Sequence, residues 1–120
     1  LFDSSIVHLL YGFFTSPSIK LNEESFHRYF PIPFVENRPI SFNIFYALSE
    51  FNEITGGTWL VPGSHKLVDF PSMTIIEKNK VQLNCKPGDV LIFDSMLIHA
   101  AGKNISKDER YSLIKYLIAL

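Results

Sequence analysis

Three polar residues whose side chains could bind a metal or a substrate lie near the ends of apolar segments: His27, His99 and Arg110. A neutral histidine binds metal ions, and the planar guanidinium of arginine can hold a carboxylate through two hydrogen bonds. A metal at His99 and a carboxylate at Arg110 would therefore be compatible neighbours. The alternative is that His99 ends a strand and Arg110 is a solvated edge residue, which on spacing alone is the commoner case.

The segment LIHAAGKNISKDERYSL, residues 97–113, carries two of these residues on either side of a polar loop. It predicts a hairpin with His99 and Arg110 roughly opposite each other on paired antiparallel strands. The arginine would lower the histidine's pKa and favour the neutral, metal-binding form. Asp94, five residues before His99, could orient its ring if the strand bends.

The segment FHRYFPIPF, residues 26–34, places His27 and Tyr29 two positions apart before a proline-rich turn. Two residues at this spacing on a strand point to the same side. Many metal-binding β-folds use a His-x-Asp or His-x-Glu pair here, and Tyr29 is neither acid. The residues alone leave three alternatives: a metal site, the remnant of one, or an ordinary strand end.

Most of the remaining chain predicts short strands separated by Pro, Gly and Asp turns, as in an antiparallel sandwich or barrel. In ISFNIFYALSEF, residues 40–51, Phe42, Ile44, Tyr46 and Leu48 alternate with Asn43, Phe45 and Ala47. The segment 3–14 instead has apolar residues at i, i+3, i+4 and i+7, with Ser4 or Ser5 as a cap. It predicts a short N-terminal helix.

Length and composition indicate one globular domain over residues 1–120 and narrow its partners. The net charge of −1 with scattered Lys and Arg argues against nucleic acid, and no apolar run reaches the ~20 residues needed to cross a bilayer. The lone Cys85 favours a reducing cytoplasm. We expect the chain, which opens on Leu1, to lack N-terminal elements of a longer protein; its oligomeric state is not predicted.

Two blocks, NEITGGTWLVPGSHK (52–66) and KPGDVLIFDSMLIHAAGKN followed by RYSL (86–113), resemble the phytanoyl-CoA dioxygenase family. The resemblance runs from about Phe26 to Tyr116. It implies a double-stranded β-helix, a cupin-like jelly roll, that uses Fe(II) and the cosubstrate 2-oxoglutarate. In this family two histidines and one carboxylate hold the iron, which leaves three coordination positions open.

The resemblance also implies roles for individual residues. His27 and His99 would be iron ligands, and Arg110 would bind the far carboxylate of 2-oxoglutarate. Thr58 and His65 would line the pocket, although polar residues that stabilise a turn are at least as common an explanation. Tyr29 stands where the metal-binding Asp is expected, and Ala101 stands where a hydroxyl that helps to hold 2-oxoglutarate is often found.

The tyrosine leaves three outcomes open. Tyr29 could bind iron as tyrosinate, Glu23 or Glu24 could supply the carboxylate, or the iron site could be incomplete. A halogenase is disfavoured because tyrosine fills the space that chloride needs. The predicted function is therefore a dioxygenase that hydroxylates an aliphatic carbon of a small or lipid-like substrate. The alternative is an inactive cupin-like module that binds a ligand or partner.

Overall fold

The computed structural model describes residues 6–15, 26–28 and 41–119, and these parts of the chain are predominantly β. Within them lie seven strands, one seven-residue helix α1 (Met73–Asn79) and a 3-10 turn (Ser64–Lys66). The strands are β1 Ile6–Thr15, β2 Ser41–Ala47, β3 Trp59–Leu60, β4 Val81–Gln82, β5 Val90–Asp94, β6 His99–Ala100 and β7 Arg110–Ala119.

The larger sheet has four antiparallel strands in the order β1-β7-β2-β5. Its ten-residue strand β7 pairs with β1 on one side and β2 on the other, so its register is fixed from both edges. Asn43, Phe45 and Ala47 of β2 are buried, whereas the residues between them are half-buried. The alternation predicted for β2 therefore sets which side chains reach the interior.

The smaller sheet has three short antiparallel strands in the order β4-β3-β6. His27 extends it through an isolated bridge to His99. The loop before β3 packs against the residues after β6 so closely that a Cβ at Gly56 or Gly102 would clash with a backbone oxygen atom of the opposite loop. This contact explains why the Gly-Gly-Thr segment needs glycine: a side chain there would separate the two loops.

The predominantly β jelly-roll prediction is confirmed, but the predicted N-terminal helix is wrong. Residues Ile6–Thr15 form β1, which pairs along its whole length with β7. Ten residues of cross-strand hydrogen bonding outweigh a helical spacing of apolar side chains, and the β-branched and aromatic residues of this segment favour strands. The proposed caps Ser4 and Ser5 lie outside the described residues.

The predicted hairpin over residues 97–113 is also wrong. β6 and β7 belong to different sheets: Arg110 lies opposite Thr15, and His99 lies opposite Leu60. The apolar stretch after Val90 is interrupted where Asp94 accepts a hydrogen bond from the Met96 amide, 2.8 Å away. This turn ends β5 and sends the chain across to the smaller sheet.

No helix among the described residues is long and apolar enough to cross a membrane.

Candidate active site

A cavity of about 220 Å³ lies between the two sheets, with walls drawn from both. The larger sheet contributes side chains of β2, β5 and β7, and the smaller sheet contributes residues at β3 and β6. The cavity brings together His27, His99, Arg110 and Thr58, four of the residues singled out in the sequence. The rest of its lining is Asn43, Phe45, Phe93, Ala100, Ala101, Ser112, Ile114 and Tyr116.

The two histidines are neighbours because their backbones pair. The His27 amide donates to the His99 carbonyl at 3.0 Å, and the His99 amide donates to the His27 carbonyl at 3.1 Å. Their ring centroids are 4.4 Å apart with the planes tilted by 57°, and the Phe93 ring lies 5.2 Å from that of His99. One backbone bridge thus places two imidazole rings on the same wall of the cavity.

The ring of His99 is oriented and neutral. Its Nδ1 lies 2.8 Å from the carbonyl oxygen of Leu97, which can only accept, so Nδ1 carries the proton and Nε2 remains for a metal. Burial, with a smaller contribution from nearby His27, lowers the pKa of His99 to about 4, although the Leu97 hydrogen bond acts in the opposite direction. Burial, rather than the predicted arginine, is the main cause, and Leu97, rather than Asp94, is the orienting group.

A serine of the PGSH segment fixes the residue next to His99. The Ile98 amide donates to the Ser64 hydroxyl at 2.8 Å, and the Ile98 carbonyl accepts from Val61 at 2.9 Å. Both Ser64 and Ile98 are fully buried, so an amide without this partner would be costly. Sequence reasoning emphasised His65, which does not line the cavity, and missed Ser64, although the two residues are adjacent.

Arg110 begins β7 and is only 2% exposed, with its guanidinium 4.6 Å from the centre of the Phe51 ring. Ser112, two residues later, points to the same side of the strand and also lines the cavity. Its hydroxyl is buried and has no hydrogen-bond partner within the described part of the chain. Ser112 was missed in the sequence, although its i+2 spacing from Arg110 places it on the arginine's side of β7.

The histidines fit an iron site in part. The oriented, neutral ring of His99 beside His27 suits a divalent metal. Across residues 26–28 and 41–119, however, no group of three or more His, Cys, Asp and Glu side chains could hold a metal ion. Tyr29, Glu23 and Glu24, the three predicted sources of a third ligand, lie outside the described residues.

The chain resembles known proteins in both sequence and fold. The chain is 36% identical over 118 residues to protein Rv1501 of Mycobacterium tuberculosis, matching 92% of this chain and 42% of that relative's length. EvdO2 from Micromonospora carbonacea var. aurantiaca, solved with 2-oxoglutarate, superposes with a TM-score of 0.77 at 15% identity, covering 97% of this chain and 53% of EvdO2.

EctD from S. alaskensis, solved with 2-oxoglutarate and 5-hydroxyectoine, gives a TM-score of 0.67 at 26% identity over 81% of this chain and 38% of EctD. The sequence model of the phytanoyl-CoA dioxygenase (PhyH) family matches residues 13–112. This match includes both histidines and the arginine that line the cavity. The chain therefore belongs to the phytanoyl-CoA dioxygenase family, whose members are non-haem iron, 2-oxoglutarate-dependent oxygenases.

Proposed function

We propose that this chain forms the catalytic core of an Fe(II)- and 2-oxoglutarate-dependent dioxygenase that hydroxylates an aliphatic carbon of a small or lipid-like molecule. The observation that carries the proposal is the single cavity that holds His27, His99 and Arg110. The chain spans 42% of the length of the relative Rv1501, so the activity of a whole protein is part of the proposal.

Arg110 is the proposed anchor for the far carboxylate of 2-oxoglutarate. Its guanidinium is almost completely buried, so a bound carboxylate would meet it in a medium of low dielectric constant, where their attraction is strong. The Ser112 hydroxyl on the same side of β7 can donate a further hydrogen bond. Ser112 would thus supply the hydroxyl that Ala101 lacks.

His27 and His99 are the proposed iron ligands. When bound, Fe(II) supplies the oxygen activation that no protein side chain provides. Overall, 2-oxoglutarate, oxygen and a substrate C–H bond give succinate, carbon dioxide and a C–OH bond, so the cosubstrate provides two of the four electrons that reduce oxygen. Leu97 keeps the proton of His99 on Nδ1, and the aromatic and aliphatic wall of Phe45, Phe93 and Ile114 limits the access of water.

Tyr29 is the proposed third protein ligand, bound as tyrosinate. Ferric iron bound to tyrosinate absorbs visible light by charge transfer, so Tyr29→Asp should remove that band while it preserves or strengthens iron binding. If Tyr29 only fills a vacated ligand position, the wild-type chain would lack the band and the same substitution would raise its iron affinity. No effect on either property would show that the metal site lies elsewhere.

The expected substrate is a small molecule with an aliphatic C–H group, since the cavity is compact and partly apolar. The 5-hydroxyectoine in the EctD structure is one small-molecule precedent in a related fold. We also propose a cytoplasmic location, in which the lone Cys85 remains a thiol.

One observation favours a second candidate function. Because the described residues provide only two candidate protein ligands for iron, the fold could instead serve as a binding module that lacks oxygenase activity. Such a module would retain affinity for a dicarboxylate at Arg110 but would show no iron-dependent reaction.

Succinate formation separates these two functions. We expect the wild-type chain, given Fe(II), oxygen and 2-oxoglutarate, to release succinate slowly even without a substrate, and His99→Ala to abolish this release. His65→Ala is the matched control, because His65 does not line the cavity. Folded wild-type protein that binds 2-oxoglutarate but forms no succinate would favour the binding module.

A further inference from the structure

We infer that Asn43, oriented by Ser95, donates a hydrogen bond to the C1 carboxylate of 2-oxoglutarate at the histidine end of the cavity. The inference rests on the proposed function and adds a positioning residue to it. Asn43 would add a neutral hydrogen-bond donor to the charged Arg110 and the proposed metal ligands.

Asn43 lies at the histidine end because of the register of the larger sheet. It is 2% exposed on β2, and its strand neighbours are Phe93 of β5 and Tyr116 of β7, which also line the cavity. The Phe93 ring contacts His99. The backbone pairing thus places an amide side chain beside the aromatic ring that contacts the proposed iron ligand.

Ser95 determines which end of this amide is available. The Ser95 hydroxyl donates to Oδ1 of Asn43 at 2.8 Å, and Ser95 is itself 1% exposed. The Ser95 amide donates to the carbonyl of Ser41 at 3.2 Å, which holds the serine against β2. Because the amide oxygen is engaged, the nitrogen Nδ2 is the group with which Asn43 can meet a molecule in the cavity, and it can only donate.

Each end of the cavity then has its own hydrogen-bond donor. Ser112, near Arg110, lies opposite Ala47, whereas Asn43 is four residues earlier on β2, or about 13 Å along the strand. Phe45 and Ile114, a cross-strand pair, lie between these ends. A dicarboxylate with an apolar middle fits this order of a donor, an apolar pair and a second donor.

This arrangement gives 2-oxoglutarate an attachment at its keto-acid end that does not depend on iron. A hydrogen bond from a buried neutral amide to a carboxylate is charge-assisted and therefore stronger than a bond between neutral groups. Such a donor would matter most where the usual acidic metal ligand is replaced, as at Tyr29.

Calorimetry with two ligands tests the inference. 2-Oxoglutarate has carboxylates at both ends, whereas 2-oxopentanoate keeps the keto-acid end and lacks the far carboxylate. Each ligand is titrated into the chain with and without Mn(II). We expect Asn43→Ala to weaken both ligands about 10-fold in either condition. Ser95→Ala should weaken both ligands by less, whereas Arg110→Gln should weaken 2-oxoglutarate alone.

Asn79→Ala is the matched control, because Asn79 is an exposed residue that bonds to its own helix, and it should leave both affinities unchanged. Asn43→Leu is a second variant: it keeps the approximate volume, brings no charge into this buried position and cannot donate, so it should weaken both ligands as alanine does. Unchanged binding in folded Asn43 variants would overturn the inference and leave the proposed function intact. A loss confined to 2-oxoglutarate would also overturn it. Failure of the wild-type chain to bind 2-oxoglutarate would overturn the proposed function, and the inference with it.

Discussion

The arginine end and the histidine end of the cavity are built in different ways. Arg110 and Ser112 belong to a ten-residue strand paired on both sides, so many hydrogen bonds fix their positions. His99 belongs to a two-residue strand, and His27 is held to it by a single backbone bridge. The arginine end therefore derives its geometry from sheet register, whereas the histidine end depends on a few specific contacts.

The two ends of the cavity are therefore suited to different functions. A carboxylate anchor works as a fixed charge, and long paired strands supply rigidity. A metal site must orient individual nitrogen atoms, and here the Leu97 carbonyl and the Ser64 hydroxyl do this for His99 and its neighbour. Substitutions at the arginine end should thus affect ligand affinity, while those supporting the histidine end should also affect stability.

The largest expected effect is at Arg110. Arg110→Gln removes the charge that anchors the far carboxylate and should weaken 2-oxoglutarate about 100-fold, near the ~2–5 kcal/mol typical of a lost buried charge pair. Calorimetry measures the change, with circular dichroism to verify folding. Lys115→Gln is the control on the same strand, since Lys115 does not line the cavity. Equal affinities in the two variants would show that the arginine end is not the anchor.

Acidification should act through the histidine end. The pKa of His99 is lowered from 6.5 to about 4 in the folded chain, so the unfolded chain binds the extra proton first as pH falls. The metal-free chain should therefore lose up to about 3 kcal/mol of unfolding free energy between pH 6.5 and 4. Urea denaturation at several pH values should show a shallower loss for His99→Gln. Parallel curves for the two proteins would contradict this account of His99.

Ser64→Ala should destabilise the support of His99. It leaves the buried Ile98 amide without its acceptor, which should cost about 1–3 kcal/mol in the free energy of unfolding. Ser72→Ala is a matched control, because Ser72 precedes α1 and its side chain makes no capping hydrogen bond. Denaturant melts measure both variants, and an unchanged midpoint for Ser64→Ala would rule out this supporting role.

The smallest effect is expected at Ser112. Ser112→Ala removes one hydroxyl beside Arg110 and should weaken 2-oxoglutarate several-fold, about 0.5–1.5 kcal/mol. Ser106→Ala, in the loop before β7, should leave the affinity unchanged because Ser106 bonds only within its own loop. Tighter binding by Ser112→Ala would mean that the hydroxyl obstructs the ligand rather than holds it.

The sequence predicted the two sheets better than the path between them. The alternation of two sets of side chains over residues 42–48 predicted which residues of β2 share a face, because side-chain direction along a strand is a local property. β1 was mistaken for a helix because its pairing with β7 spans about a hundred residues of sequence. The change of sheet after Asp94 could not be predicted from the apolar run around it, because the turn depends on contacts with distant Ser41 and Ser64.

For the site, resemblance was more informative than spacing. The family motifs indicated His27, His99, Arg110 and Thr58, and the structure brings these four to one cavity. Their roles toward iron and 2-oxoglutarate stay predictions, as does the role of Tyr29. Ser112 could have been selected through its i+2 spacing from Arg110. Asn43 could not, because only the register of β2 against β5 and β7 shows that it lies beside Phe93 and Tyr116.

Anaerobic titration of the purified chain with Fe(II) in the presence of 2-oxoglutarate tests the central claim most directly. A 2-oxo acid chelated to Fe(II) gives a visible metal-to-ligand absorption band. We predict that the band appears with the wild-type chain, disappears in His99→Ala and requires much more 2-oxoglutarate in Arg110→Gln. A well-folded wild-type chain that gives no band would contradict the claim that the two ends of this cavity act together as an oxygenase site.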